Sequence, residues 1–375
     1  MSRYTQFHID NLRTSAMVNL PVVLNGASIE NLSGRYWSEI GNHVMGLHDV
    51  RARQGTFTRP WGSKTIPTFQ TPVLSYTNDT LETLLNRRAC ELLSLSKTIA
   101  IMWSGGIDST TALTAFLKNT QNLEQLVVYL SETSINENPE FYKNYIQNKI
   151  QCRDVRRLDV TDEFIENNIL VHGDPADCIF GPSMGMYKHL LADNRHRAPW
   201  RENRNLIVEG ISNRGNDTGF ANWYVNKVSD NIEEVGMDIL SISDWWWWHY
   251  FNLKWEFSML RPFFYMRSGR SGVTDETLNK YNQTSFYNTD YFQSWSYVNL
   301  ARLCHDPALH KIDAKKYIFE FDHNHDYLNN KYKSESIVDD ILKRPAYLDK
   351  NLKRYFANDP GLVEAQIELL EEYRE

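Results

Sequence analysis

The chain has 375 residues, 42% hydrophobic and 23% charged, a balance that fits a folded globular protein and excludes a long disordered one. Its 40 Lys and Arg against 47 Asp and Glu leave a net charge of −7, which argues against a protein that binds chiefly by neutralising a nucleic-acid backbone. No stretch reaches the ~18 uninterrupted apolar residues of a membrane span and the N-terminus lacks a signal-peptide core, so a cytoplasmic protein with no membrane partner is expected.

Residues 1–77 are dotted with Pro, Gly and Asn and predict an extension of loops and short strands. The pattern sharpens at Asp79, which with Glu82 fits a capping box. Leu81, Leu84, Leu85, Ala89 and Leu92 then form the stripe of an amphipathic helix that ends near Ser94. Thr98 to Trp103 is a short β-branched apolar run, read as a strand buried on both faces. The Gly-rich turn Ser104 to Ser109 and a helix over Thr110 to Lys118 follow it. The rhythm recurs as a strand at Gln125 to Leu130, a helix at Pro139 to Ile150, a strand at Val155 to Val160, a helix at Thr161 to Asn168 and a strand at Ile169 to His172. A second Gly-bearing turn spans Gly173 to Gly181.

This alternation predicts an α/β fold, a parallel sheet with helices on both faces, over residues 78–215. Ligands of such sheets bind beyond the carboxyl ends of the strands, where both Gly-bearing turns lie. Residues 216–375 predict an aromatic-rich, mainly helical C-terminal half. Trp, Tyr and Phe number 11, 20 and 17, and Trp245 to Trp248 are consecutive. Such a run points in several directions along a helix, so it reads as packing, with Trp245, Trp248, Leu253 and Phe257 on a broad buried face. A last amphipathic helix is expected over Leu362 to Tyr373.

The strongest chemical signal is Ser104-Gly105-Gly106-Ile107-Asp108-Ser109. The glycines permit a sharp turn, and the free N–H groups of the following helix, with the Ser104 and Ser109 hydroxyls, make an anion cradle suited to phosphate. Asp108 would repel a phosphate directly but suits Mg²⁺ that bridges to phosphate oxygens. The Walker-type loop is missing, for the chain has no Gly-Lys dipeptide.

At these residues the chain resembles the PP-loop, or N-type, ATP pyrophosphatases, whose fingerprint is S-G-G-x-D-S. Gly173-Asp174-Pro175-Ala176-Asp177, continuing to Gly181, resembles the matching segment of the asparagine synthetase and β-lactam synthetase branch. The resemblance implies an adenine nucleotide alpha-hydrolase-like fold that uses ATP and Mg²⁺, with Asp108 and Asp177 as metal carboxylates. It assigns nucleotide binding to Trp103, Ser104, Gly105, Gly106, Asp108, Ser109, Tyr129, His172 and Gly173. It also implies a positioning role for Asp174 and a catalytic lysine late in the chain, for which Lys333 or its neighbour Lys331 is the candidate.

Trp103, Tyr129 and His172 depart from the small residues usual in that branch. The arginine expected four residues after the lysine is also missing, since Ile337 and Glu335 stand there. Glutamine-dependent relatives begin Met-Cys, whereas this chain begins Met-Ser-Arg, and too few residues precede Thr98 for a glutaminase domain. A separate glutaminase would then be a partner, and the helical second half would cover the acceptor substrate.

The resulting expectation is an AMP-forming ligase of asparagine-synthetase type, which joins a small carboxylate to ammonia or an amine. A PP-loop enzyme that modifies a tRNA or nucleobase, and a non-catalytic nucleotide-binding module, are the alternatives. The cysteines Cys90, Cys152, Cys178 and Cys304 form no C-x-x-C pair, so reduced, mostly buried thiols are expected. The FDHNHD segment around His323 and His325 reads as a polar turn, and Arg195, Arg197, Arg201 and Arg204 as a solvated face.

Overall fold

A short helix, α1 (Leu81–Leu93), leads into the first strand of the sheet, β1 (Thr98–Met102). In this computed structural model the described residues are 77–181, 190–191, 193–212, 218–235, 238–253, 258, 275–305 and 311–331. The expectations for residues 1–76, the side chains of Leu253 and Phe257, the terminal helix and Lys333 lie outside them.

The sheet unit continues as α2 (Ile107–Asn119), β2 (Leu126–Leu130), α3 (Glu132–Glu137) and α4 (Pro139–Phe141), which runs on as a π-turn over Tyr142–Ile146. Then come β3 (Gln151–Asp154), α5 (Asp162–Asn167), β4 (Asn168–Val171) and α6 (Ala176–Ile179). The four strands are all parallel, in the order β3-β2-β1-β4. Ile101 stands level with Val128 on one side and with Val171 on the other. Successive strands thus step outward from β1 to β2 to β3, and β4 returns to the free edge of β1. The order reverses between β1 and β4, and such a switch point opens a crevice at the carboxyl edge.

Burial explains why these segments are strands. Ile99, Ala100, Ile101, Leu126, Val128, Ile169 and Val171 are at most 1% exposed, as central parallel strands covered on both faces require. The edge strand β3 is instead mostly exposed. The apolar residues Val155, Leu158 and Val160 are fully buried, yet Val155–Arg157 is a 3₁₀ turn and the strand lies just before it. An edge strand facing water carries no apolar run to mark it. The helix expected over Pro139 to Ile150 keeps α geometry only in α4. The first helix is capped by Thr80, whose hydroxyl accepts from Thr83 N, rather than by Asp79.

Five described helices complete this unit: α10 (Asp275–Thr284), α11 (Asp290–Val298), α12 (Leu300–His305), α13 (Ile312–Asp322) and α14 (His325–Asn330). Both α1 and α13 pack on α2, and α10 packs on β4 and α5.

A second unit comprises the described residues between 190 and 253 and holds α7 (Arg204–Ser212), α8 (Thr218–Val235) and α9 (Ile242–Trp248). Ser241 and Asp244 form a capping box at the start of α9. All four tryptophans of α9 are at most 1% exposed, and Trp247 stacks on Phe251 with ring centroids 4.4 Å apart. The tryptophan run is core, as expected. The basic stretch is surface: Arg195 pairs with Asp193 at 2.6 Å and Arg201 with Glu233 at 2.7 Å, both exposed.

Candidate functional site

The Ser104–Ser109 turn leaves β1 and enters α2 through an interlocked set of hydrogen bonds. Ser104 N donates to Ser109 Oγ at 3.0 Å, the two hydroxyls share a bond of 2.9 Å, and Gly106 N donates to Ser104 Oγ at 3.3 Å. Gly105 has φ +72°, and a Cβ there would stand 2.4 Å from the Ser134 carbonyl oxygen and 2.8 Å from Glu137 Cβ, so only glycine fits. Gly106 is the N-cap of α2 and gives that helix end no side-chain acceptor. The positive end of the helix therefore faces the turn uncapped by a side chain.

The turn after β4 meets this one directly. A Cβ on Gly173 would lie 2.9 Å from Ser109 N and 3.0 Å from Asp108 Cβ, a contact that again requires glycine. Asp108 and Asp177 thus come together from the two sides of the switch point. One residue sits between them: Lys311 Nζ donates to both oxygens of Asp108, at 2.7 and 2.6 Å, and to Asp177 Oδ1 at 2.6 Å. Its side chain is 11% exposed. Burial alone would lower the Lys311 pKa, but the charges and hydrogen bonds of Asp108 and Asp177 outweigh it and the net shift is upward, so the amine stays charged.

Lys311 is absent from the sequence reading. Nothing in His310-Lys311-Ile312 marks it, because its importance comes from a contact across 203 positions of chain.

Tyrosines from the later part of this unit, Tyr281 and Tyr327 on helices and Tyr287 in the segment between α10 and α11, brace the same turns. Tyr287 donates to the Asp108 carbonyl at 2.7 Å, and Tyr327 donates to the Gly105 carbonyl at 3.2 Å. Tyr281 and His172 Nε2 share a bond of 2.8 Å with their rings parallel. Burial raises the pKa of all three phenols. Nearby carboxylates add to this, Asp174 at Tyr281 and Asp108 at Tyr287 and Tyr327, so each tyrosine keeps its proton to donate. Beneath Gly105, Glu137 forms an ion pair with Lys331, the two side chains being 1% and 9% exposed.

The remaining residues singled out from the sequence fall as follows. Trp103 is fully buried, its ring stacked on Phe141 and Tyr142, and its Nε1 donates to Thr110 Oγ1 at 3.0 Å. Tyr129 is 5% exposed and its hydroxyl accepts from Arg153 at 3.3 Å. Asp174 is half-buried, next to Gly173. Cys178 is buried, but Cys90 and Cys152 are exposed free thiols, against the expectation of mostly buried ones. His323 and His325 flank a turn in which Asn324 N donates to Asp322, and His325 packs on Phe319.

Among the described residues no group of three or more His, Cys, Asp or Glu side chains could hold a metal ion. The pair Asp108 and Asp177 nevertheless fits Mg²⁺, which takes one or two carboxylates and completes its shell with phosphate oxygens and water. One ammonium bonding to both shows that they converge on a single cation position. Among the described residues no helix is long and apolar enough to cross a membrane. No family model, curated protein or solved structure matches this chain.

Proposed function

We propose that the chain is an ATP-dependent ligase that adenylates a small carboxylate, releases pyrophosphate and forms an amide with ammonia or an amine. The observation that carries this reading is the meeting of Asp108, from a Ser-Gly-Gly turn, with Asp177, from the neighbouring turn, at one cation position on the carboxyl edge of the sheet. The N–H groups at the start of α2, with the Ser104 and Ser109 hydroxyls, hold the pyrophosphate portion of the nucleotide. Asp108 and Asp177 would hold Mg²⁺, which would supply positive charge against the negative charge of the leaving pyrophosphate. The substrate carboxylate attacks the α-phosphorus of ATP and pyrophosphate leaves; the amine then attacks the acyl carbon and AMP leaves. Lys331 or Lys333 places positive charge where the transition state gains negative charge, and Asp174 orients the reacting groups.

ATP–pyrophosphate exchange measured across a panel of amino acids, with and without ammonium, tests this. The expected result is Mg²⁺-dependent exchange with one carboxylate, aspartate being the first to try, reduced on the order of 100-fold by Asp108→Asn. Exchange supported only by a tRNA or nucleobase replaces this substrate class with the other PP-loop chemistry. ATP binding that is indifferent to Asp108→Asn, with no exchange under any condition, leaves a non-catalytic nucleotide module.

A further inference from the structure

Lys311 uses its charge in an unusual place. Its ammonium takes three carboxylate bonds at the position where the ligase reading puts a divalent cation. Two like charges cannot share that seat, since a metal bound to the same oxygens would lie within hydrogen-bond range of Nζ, where repulsion is strong. We propose that Lys311 is a tethered competitor of the metal: it keeps the two carboxylates together in the metal-free protein, and a divalent cation enters only by displacing it. This inference rests on the reading of Asp108 and Asp177 as the cation-holding pair.

The way Lys311 is mounted suits displacement. It precedes α13 in the left-handed conformation, with φ +55°. The helix is anchored without it, through Tyr317 donating to Asn86 at 2.6 Å and Arg302 pairing with Asp313 at 2.5 Å. The four-carbon stem can therefore swing while α13 stays on α2, as the point charge of a lysine on a flexible chain permits. Its removal takes away an ammonium that bonds to both Asp108 and Asp177. The same side chain thus assembles the switch point and weakens its affinity for metal.

The test uses Mn²⁺ alone, without nucleotide, on the full chain. Lys311→Gln is expected to bind Mn²⁺ at least about tenfold more tightly than the native protein by calorimetry or electron paramagnetic resonance, a coupling of ordinary size. Adding Asp108→Asn to that variant should abolish the gain. In chelator the variant should melt below the native protein, and Mn²⁺ should raise its melting temperature by more than it raises the native one. Equal or weaker Mn²⁺ affinity in Lys311→Gln overturns the proposal. A second measurement needs no variant: acylation of Lys311 by an amine-reactive reagent, followed by peptide mass spectrometry, should increase several-fold when Mn²⁺ is added to the native protein. Unchanged labelling also overturns it. If exchange activity is found but Mn²⁺ affinity does not respond to Lys311→Gln, the competitor role falls and the ligase stands. A tighter Mn²⁺ site with no exchange for any carboxylate gives the reverse.

Discussion

Gly105 and Gly106 are adjacent in the chain and differ sharply in what they tolerate. Gly105→Ala forces a side chain into a left-handed residue and against the Ser134 carbonyl, so a loss of about 2 kcal/mol or more is expected in denaturant unfolding. Gly106 has an ordinary φ of −74° and its nearest obstacle is the Ser104 hydroxyl at 3.2 Å, so Gly106→Ala should cost distinctly less. Equal costs at the two positions would contradict the packing of α3 beneath the turn. The buried pair of Glu137 and Lys331 gives a second case. Glu137→Ala removes one half of a buried ion pair and should cost on the order of 3 kcal/mol, whereas the double change Glu137→Gln with Lys331→Met should recover much of it. Equal destabilisation by the single and double changes would mean the charge pair is not what the site lacks. At this scale the tight turn at Ser104–Ser109 was legible in the sequence, because a close strand-to-helix turn needs glycine at its crowded position and hydroxyls that can bond across it. Lys311, Glu137 and the bracing tyrosines were not, because each acts through contacts distant in the chain.

Between elements, the contact of α1 with α11 depends on Glu91. Its carboxylate accepts from Arg87 at 2.9 Å, from Arg88 at 3.2 Å and from Tyr291 at 2.9 Å, while the Arg87 guanidinium lies 4.4 Å from the Tyr291 ring centre. Arg88 extends the junction by donating to the Gln283 and Ser285 carbonyls, both at 2.7 Å. Partial burial pushes the Glu91 pKa up, but the three hydrogen bonds outweigh it and the net shift is downward. A depressed carboxylate contributes its full stability above its unfolded value of about 4.3 and loses it as pH falls through the lower folded value. Thermal melts should therefore show an acid-side loss of stability below about pH 4 that is smaller in Glu91→Gln. Identical acid limbs would show that the junction does not depend on the charge. The elements themselves were partly legible. Central strands revealed themselves by continuous β-branched runs, whereas β3, Gln151–Asp154, has the exposed polar residues of an edge and carries no such run. Apolar residues mark burial, not hydrogen-bond pattern, which is why Val155 to Val160 looked like a strand.

Across the chain, the sheet-bearing unit is assembled from two stretches, 77–181 and 258–331, separated by the segment that holds the tryptophan cluster. The excess of aromatics seen in the composition therefore has at least two uses. In one unit Trp245 to Trp248 are core, and in the other Tyr281, Tyr287 and Tyr327 use their hydroxyls on His172 and the site backbone. No composition figure separates these uses; only the fold does.

The distance from Gly105 to Tyr327, 222 positions, also sets a schedule for making the protein. The Ser-Gly-Gly turn and β4 leave the ribosome long before the residues that brace them. At about 5–20 residues per second, roughly 10–45 s pass between synthesis of the turn and of its last brace. For most of that interval the Lys311 ammonium that bonds to both Asp108 and Asp177 has not yet been made. The two acidic turns are thus made first, and the lysine that bridges them is made 134 positions after Asp177.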